Sequence, residues 1–89
     1  MKQRYLEVTY RKGKPLAAYL YLPRPLGAKS VKTEDAGSGM RVDYDSAGNA
    51  IGVELTAPSQ VTIDDISELL TRLGQAHLSN DEWAPLKVA

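Results

Sequence analysis

The chain has 89 residues, and its 11 Lys and Arg balance 11 Asp and Glu. That length supports one core, since a compact domain usually needs about 100 residues, and 11 Leu, 6 Val and 3 Ile are enough aliphatic side chains to build it. The absence of Cys excludes a disulfide scaffold, a thiolate zinc site and a cysteine nucleophile, and the single His77 leaves no multi-histidine metal site.

From Tyr5 to Tyr10 the residues Leu6, Val8 and Tyr10 alternate with Tyr5, Glu7 and Thr9, the two-residue period of a strand. Arg11 to Pro15 reads as a turn. Leu16 to Leu22 is apolar at every position and bounded by Pro15 and Pro23, which predicts a strand covered on both faces and a first hairpin. Pro23 and Pro25 make the next stretch a linker, and Ser30 to Asp35 reads as a weak strand.

Met40, Val42 and Tyr44 then alternate with Arg41, Asp43 and Asp45, and Ile51, Val53 and Leu55 alternate with Gly52, Glu54 and Thr56. Between them Asp45-Ser46-Ala47-Gly48-Asn49 suits a type I turn followed by Gly48 in the left-handed region, the clearest hairpin in the chain. After Pro58 the period lengthens to about 3.6, and Ile63, Ile66, Leu69, Leu70 and Leu73 share one side of a helix. Thr62 and Asp65 form a capping box, Asp64 and Asp65 suit the positive helix end, and Gly74 closes it. Ser79 to Glu82 is a second start signal, with Leu78 placed to staple against Trp83. Pro85 limits that element to about one turn, over residues 79–84.

The expected architecture is therefore α+β: a single domain over residues 1–89, with an antiparallel β-meander of four to five strands over about 5–57. A helix over about 63–73 packs on one face. No apolar run approaches the ~20 residues of a membrane span, and the N-terminal stretch lacks the apolar region of a signal peptide, so a cytoplasmic protein is expected.

The stretch from Val42 to Leu55, reading VDYDSAGNAIGVEL, resembles the signature hairpin of a family of small bacterial proteins catalogued as domain of unknown function 2283. Its members read valine-aspartate-tyrosine-aspartate, a Gly-containing turn, then an aliphatic-glycine-aliphatic-glutamate-aliphatic strand. Ala18 to Leu22 is similar to the family's second strand, so the likeness covers roughly residues 5 to 57. The first turn departs from it, with Arg11, Lys12 and Lys14 where the family carries acids. The resemblance implies a small antiparallel sheet and no established activity. Members encoded beside small toxin-like proteins imply a neutralising partner role.

Asp43, Asp45, Gly48 and Glu54 occupy positions 1, 3, 6 and 12 of a calcium loop of the EF-hand kind. Position 5 is Ala47, which offers no side-chain oxygen, and the flanks read as strands where that motif needs helices, so these residues are read as a turn signature and no metal or cofactor is expected. Across the hairpin Asp43 and Glu54 are expected to face each other unless Arg41 or Lys32 intervenes. The same acids could serve as a general acid–base pair, but no nucleophile motif or phosphate loop accompanies them, and the chain is read as non-enzymatic. His77, just beyond the helix, is read as a solvated or capping residue.

Charge is divided along the chain: residues 1–32 carry eight bases against Glu7, and residues 33–89 three bases against ten acids. The two halves pairing with each other is the simpler explanation, and a charged face offered to a partner is the other. Arg4, Arg11, Lys12, Lys14, Arg24, Lys29 and Lys32, together with Tyr5, Tyr10, Tyr19 and Tyr21, make nucleic acid a rival partner, one not favoured because no RNA-binding signature is present. The favoured function is non-catalytic protein association; a toxin-neutralising, antitoxin-like partner and an RNA-binding module follow as alternatives. A homodimer is expected, with an interface that includes Leu16, Ala17, Tyr19 and Tyr21. One helix covers one face of the Leu16–Leu22 strand, and the other face needs a second layer. The alternative cover is the chain's own linker and tail, folded back with Leu26 and Trp83.

Overall fold

The structure, a computed structural model, describes residues 4–87. It is α+β, with a five-stranded antiparallel, meander-like sheet and two helices. The strands are β1 (Tyr5–Arg11), β2 (Lys14–Tyr21), β3 (Lys32–Gly37), β4 (Met40–Tyr44) and β5 (Ala50–Leu55), followed by a 3₁₀ turn (Pro58–Gln60), α1 (Ile63–Arg72) and α2 (Asn80–Lys87). The weak strand expected over Ser30 to Asp35 thus begins at Lys32 and continues to Gly37.

The spatial order is β1-β2-β5-β4-β3. The run β3-β4-β5 is built from tight hairpins, and β5 returns beside β2, a Greek-key arrangement. Residues 22–31 therefore cross one end of the sheet to reach its far edge. Hydrogen bonds from the Leu22 N–H to the Ile51 carbonyl (3.1 Å) and from the Val31 N–H to the Tyr44 carbonyl (2.9 Å) hold the two ends of this crossing. Its two prolines leave fewer backbone donors to satisfy, and between these ends the Ala28 N–H closes a turn on the Pro25 carbonyl at 3.1 Å.

Alternation divides the sheet into two faces. Leu6, Ala18, Leu20, Leu22, Val42 and Val53 lie on the buried one, joined by Ile66, Leu69, Leu70, Leu78 and Trp83 from the helical half. Leu69 and Leu73 of α1 line one hollow with Ala36, Val42 and Tyr44 of β3 and β4, whereas α2 packs against β1. The two helices thus sit side by side on the same face. Trp83 joins that core, and Leu26 is 97% exposed, so neither folds over the second face. The Leu16–Leu22 strand, expected to be covered on both faces, is covered within this chain on one.

The α1 capping box forms as the sequence predicts: the Asp65 N–H donates to Thr62 Oγ1, and the Thr62 N–H to Asp65 Oδ2, each at 3.0 Å. The last element departs from expectation. In place of one turn over residues 79–84, α2 runs from Asn80 to Lys87 with Pro85 inside it. Pro85 removes one helical donor. The surrounding packing holds the helix past it: Trp83 joins the core, Leu86 packs against it, and the Tyr10 hydroxyl donates to the Pro85 carbonyl. Among the described residues no helix is long and apolar enough to cross a membrane.

Candidate functional site: the open face of the sheet

Strand register places two rows of side chains on the face away from the helices. Tyr5, Tyr21, Gly52, Asp43 and Thr33 stand side by side across all five strands, and Glu7, Tyr19, Glu54, Arg41 and Asp35 form the neighbouring row. Three tyrosines make one cluster. Tyr5 stacks on Tyr21 with ring centroids 4.5 Å apart, and Tyr19 meets Tyr21 edge-on at 4.8 Å. The Arg24 guanidinium lies 5.3 Å from the Tyr21 ring centre and donates to the Ile51 carbonyl at 2.6 Å. Such a cation held over a ring adds electrostatic attraction to the ring's apolar contacts.

Tyr19 leans across β5 to donate to Asp43 Oδ2 on β4 at 2.7 Å, and the Thr33 hydroxyl of β3 donates to Asp43 Oδ1 at 2.5 Å. One carboxylate therefore ties β2, β4 and β3 together over the top of β5. The path of Tyr19 requires Gly52 beneath it, since a Cβ there would sit 1.9 Å from the phenol oxygen. Burial raises the Tyr19 hydroxyl above the usual tyrosine range, and the Asp43 carboxylate adds to the effect. Tyr21 is raised as well, by burial first and then by Glu7, whose Oε1 accepts from its hydroxyl at 3.3 Å. The sequence assigns no site role to Gly52, the glycine of the alternating strand, or to Thr33. A glycine inside an otherwise alternating strand is the available signal for the first, because it marks close approach of another group.

Of the expected interface residues, Ala17, Tyr19 and Tyr21 lie on this open face. Leu16, at 54% exposure, is the residue passed over by a bulge between the Thr9–Ala17 and Tyr10–Pro15 pairs, and it stands outside the core. Asp43 and Glu54 do not face each other: Asp43 pairs with Gly52, and Arg41 stands opposite Glu54. A bulge between Asp43 and Tyr44 shifts the register locally. Asp45 belongs to the turn. Its Oδ1 accepts from the Ala47 and Asn49 N–H groups at 3.0 and 2.9 Å, and its carbonyl accepts from the Gly48 N–H at 3.0 Å. Gly48 has φ 86°, as the type I turn with a left-handed glycine requires. The four acidic and turn residues therefore do not converge, and no group of three or more His, Asp or Glu among the described residues could hold a metal ion.

The basic residues also separate. Arg11, Lys12 and Lys14 lie at the β1–β2 turn at one end of the sheet, while Arg24 and Lys29 belong to the crossing at the other, where Lys32 begins β3. Arg4 is bound by Glu82. The tyrosine cluster shares its face with Glu7, Asp35, Asp43 and Glu54, so aromatic and basic side chains do not form one phosphate-tracking strip. His77 is exposed, with Nε2 2.9 Å from Thr71 Oγ1, and its carbonyl accepts from Arg4. No family model, no curated protein and no solved structure matches the chain.

Proposed function

We propose that this protein is a non-catalytic protein-interaction domain that self-associates as a two-fold dimer through the open face of its sheet. The observation that carries this reading is the Tyr5–Tyr21–Tyr19 cluster on a face that neither helix covers. Tyrosine buries a large ring while its hydroxyl remains satisfied at a wet rim, the property that enriches it at interfaces. The second copy is the favoured occupant because the face carries both signs of charge. Arg41 lies between Glu54 and Asp35 in one row, so a two-fold copy can set each Arg41 against the partner's acids. The likeness of Val42 to Leu55 to domain of unknown function 2283 belongs to the same proposal, and two residues of that stretch, Asp43 and Gly52, are the ones engaged by Tyr19. The proposal also assigns the protein to the cytoplasm, which fractionation of native cells checks.

Light scattering at micromolar concentration tests the dimer. The expected mass is that of two chains, falling to one in Tyr5→Glu. Tyr5 is the better position for the charge because it is 44% exposed, whereas Tyr19 also holds Asp43. A single-chain mass that stays constant on concentration overturns the reading.

A further inference from the structure

At the β1–β2 turn, beside the end of α2, the structure carries a second surface that shares no residue with the tyrosine cluster. Two hollows of about 480 and 270 Å³ adjoin there, sharing Lys14 and Pro15. The larger is floored by Pro58, Val61, Trp83 and Leu86, and the smaller is bounded by Arg11, Lys12 and the exposed Leu16. An apolar hollow beside three cations selects a ligand that is apolar at one point and anionic around it.

The cations are held together against their own repulsion. Arg11 stands opposite Lys14 in the hairpin register, a cross-strand like-charge pair that destabilises a sheet, and Lys12 sits between them at φ 53°. The ion pairs among the described residues are Arg4–Glu82 and Lys32–Glu34, and neither reaches this cluster. Among the described residues no salt bridge reaches the three charges, so a bound anion would relieve the repulsion as well as gain its own contacts.

We propose that this groove docks an acidic protein segment bearing an aliphatic side chain, the aliphatic group entering the hollow beside Trp83 and the carboxylates meeting Arg11, Lys12 and Lys14. A nucleic acid is the less suitable occupant. The clustered tyrosines that would stack bases line neither hollow, and the floor here offers aliphatic and proline surface with Trp83 only 8% exposed. The groove shares no residue with the tyrosine cluster that carries the dimer proposal, so either proposal can fail without the other.

Trp83 is the only tryptophan in the chain and reports directly on the hollow. The probe is a short synthetic peptide of Glu and Asp with two central leucines and no aromatic residue. Its titration is expected to change Trp83 emission saturably, with affinity that weakens as salt is raised. Replacing the leucines by serine, or introducing Lys14→Glu, is expected to weaken binding by about tenfold or more. Arg11→Glu separates binding from folding, because it places opposite charges across the hairpin: binding falls while the melting temperature holds or rises. Tyr5→Glu leaves peptide affinity unchanged. The proposal is overturned by an emission that does not respond to the peptide, by equal binding of the serine peptide, by undiminished binding in Arg11→Glu, or by an oligothymidylate that binds more tightly than the peptide.

Discussion

Arg4 and Glu82 lie 78 positions apart in the chain and meet through two hydrogen bonds, Nε to Oε2 at 2.7 Å and Nη2 to Oε1 at 2.9 Å. Arg4 also donates to the carbonyls of Ala76 and His77, at 2.6 and 2.9 Å. Glu82 completes the capping box of α2, accepting from the Ser79 N–H at 2.9 Å while its own N–H donates to Ser79 Oγ at 3.1 Å. One paired guanidinium and carboxylate thus fasten the start of β1 to the loop between the helices and to the first turn of α2. Two-point pairing of this kind is stronger and more directional than a single surface contact.

Glu82→Gln keeps an acceptor for Ser79 but removes the charge, and is expected to lower stability by about 1.5 kcal/mol at neutral pH. The Arg4 guanidinium, against a smaller opposing effect of burial and with help from the Ser79 N–H, holds the Glu82 carboxyl down to about 2 from its ordinary 4.5. Because the folded value is the lower one, this stabilisation is complete above pH 4.5 and is lost as pH falls toward 2. Melting curves across that range are expected to converge for the wild type and Glu82→Gln.

Gly52→Ala is expected to displace Tyr19 and release Asp43, lowering stability by about 1–3 kcal/mol, because the added Cβ meets the phenol itself. Ultraviolet titration adds a specific readout: the highest-titrating tyrosine moves down toward the ordinary range once it leaves its buried place beside Asp43. In a Tyr19→Ser background the same glycine substitution should lose most of its effect, a coupling that a double-mutant cycle measures.

Gly48→Val tests the backbone in isolation. A Cβ at Gly48 meets nothing within 4 Å, but φ 86° is strained for a β-branched residue, so a loss of about 1 kcal/mol or more is expected. Gly48→Asn, which tolerates the left-handed region, should lose less in the same thermal melts.

Millimolar calcium is expected to shift the melting temperature by no more than about a degree, since a ligand of the native state must stabilise it by mass action. Asp43 is engaged by Tyr19 and Thr33, Asp45 by two backbone N–H groups, and Glu54 stands opposite Arg41. A larger shift that Glu54→Gln abolishes would show these carboxylates converging on the ion.

The features legible in the residues are those with short-range causes. The two-residue alternation around Asp45 to Asn49 reveals β4, β5 and their turn, because pleat and left-handed glycine act within a few positions. Thr62 and Asp65 mark the start of α1 for the same reason, their two hydrogen bonds spanning three residues. Long-range pairing left no such trace. The return of β5 beside β2, the reach of Tyr19 over Gly52 to Asp43, and the Arg4–Glu82 pair all join residues that become neighbours once the sheet is assembled. The local rule at Pro85 even pointed the wrong way, since packing of Trp83 and Leu86 outweighs one lost helical hydrogen bond. Alternation separates Ala17, Tyr19 and Tyr21 from Ala18, Leu20 and Leu22, but which set meets the helices depends on how the chain crosses the sheet, and that crossing leaves the tyrosines on the open side.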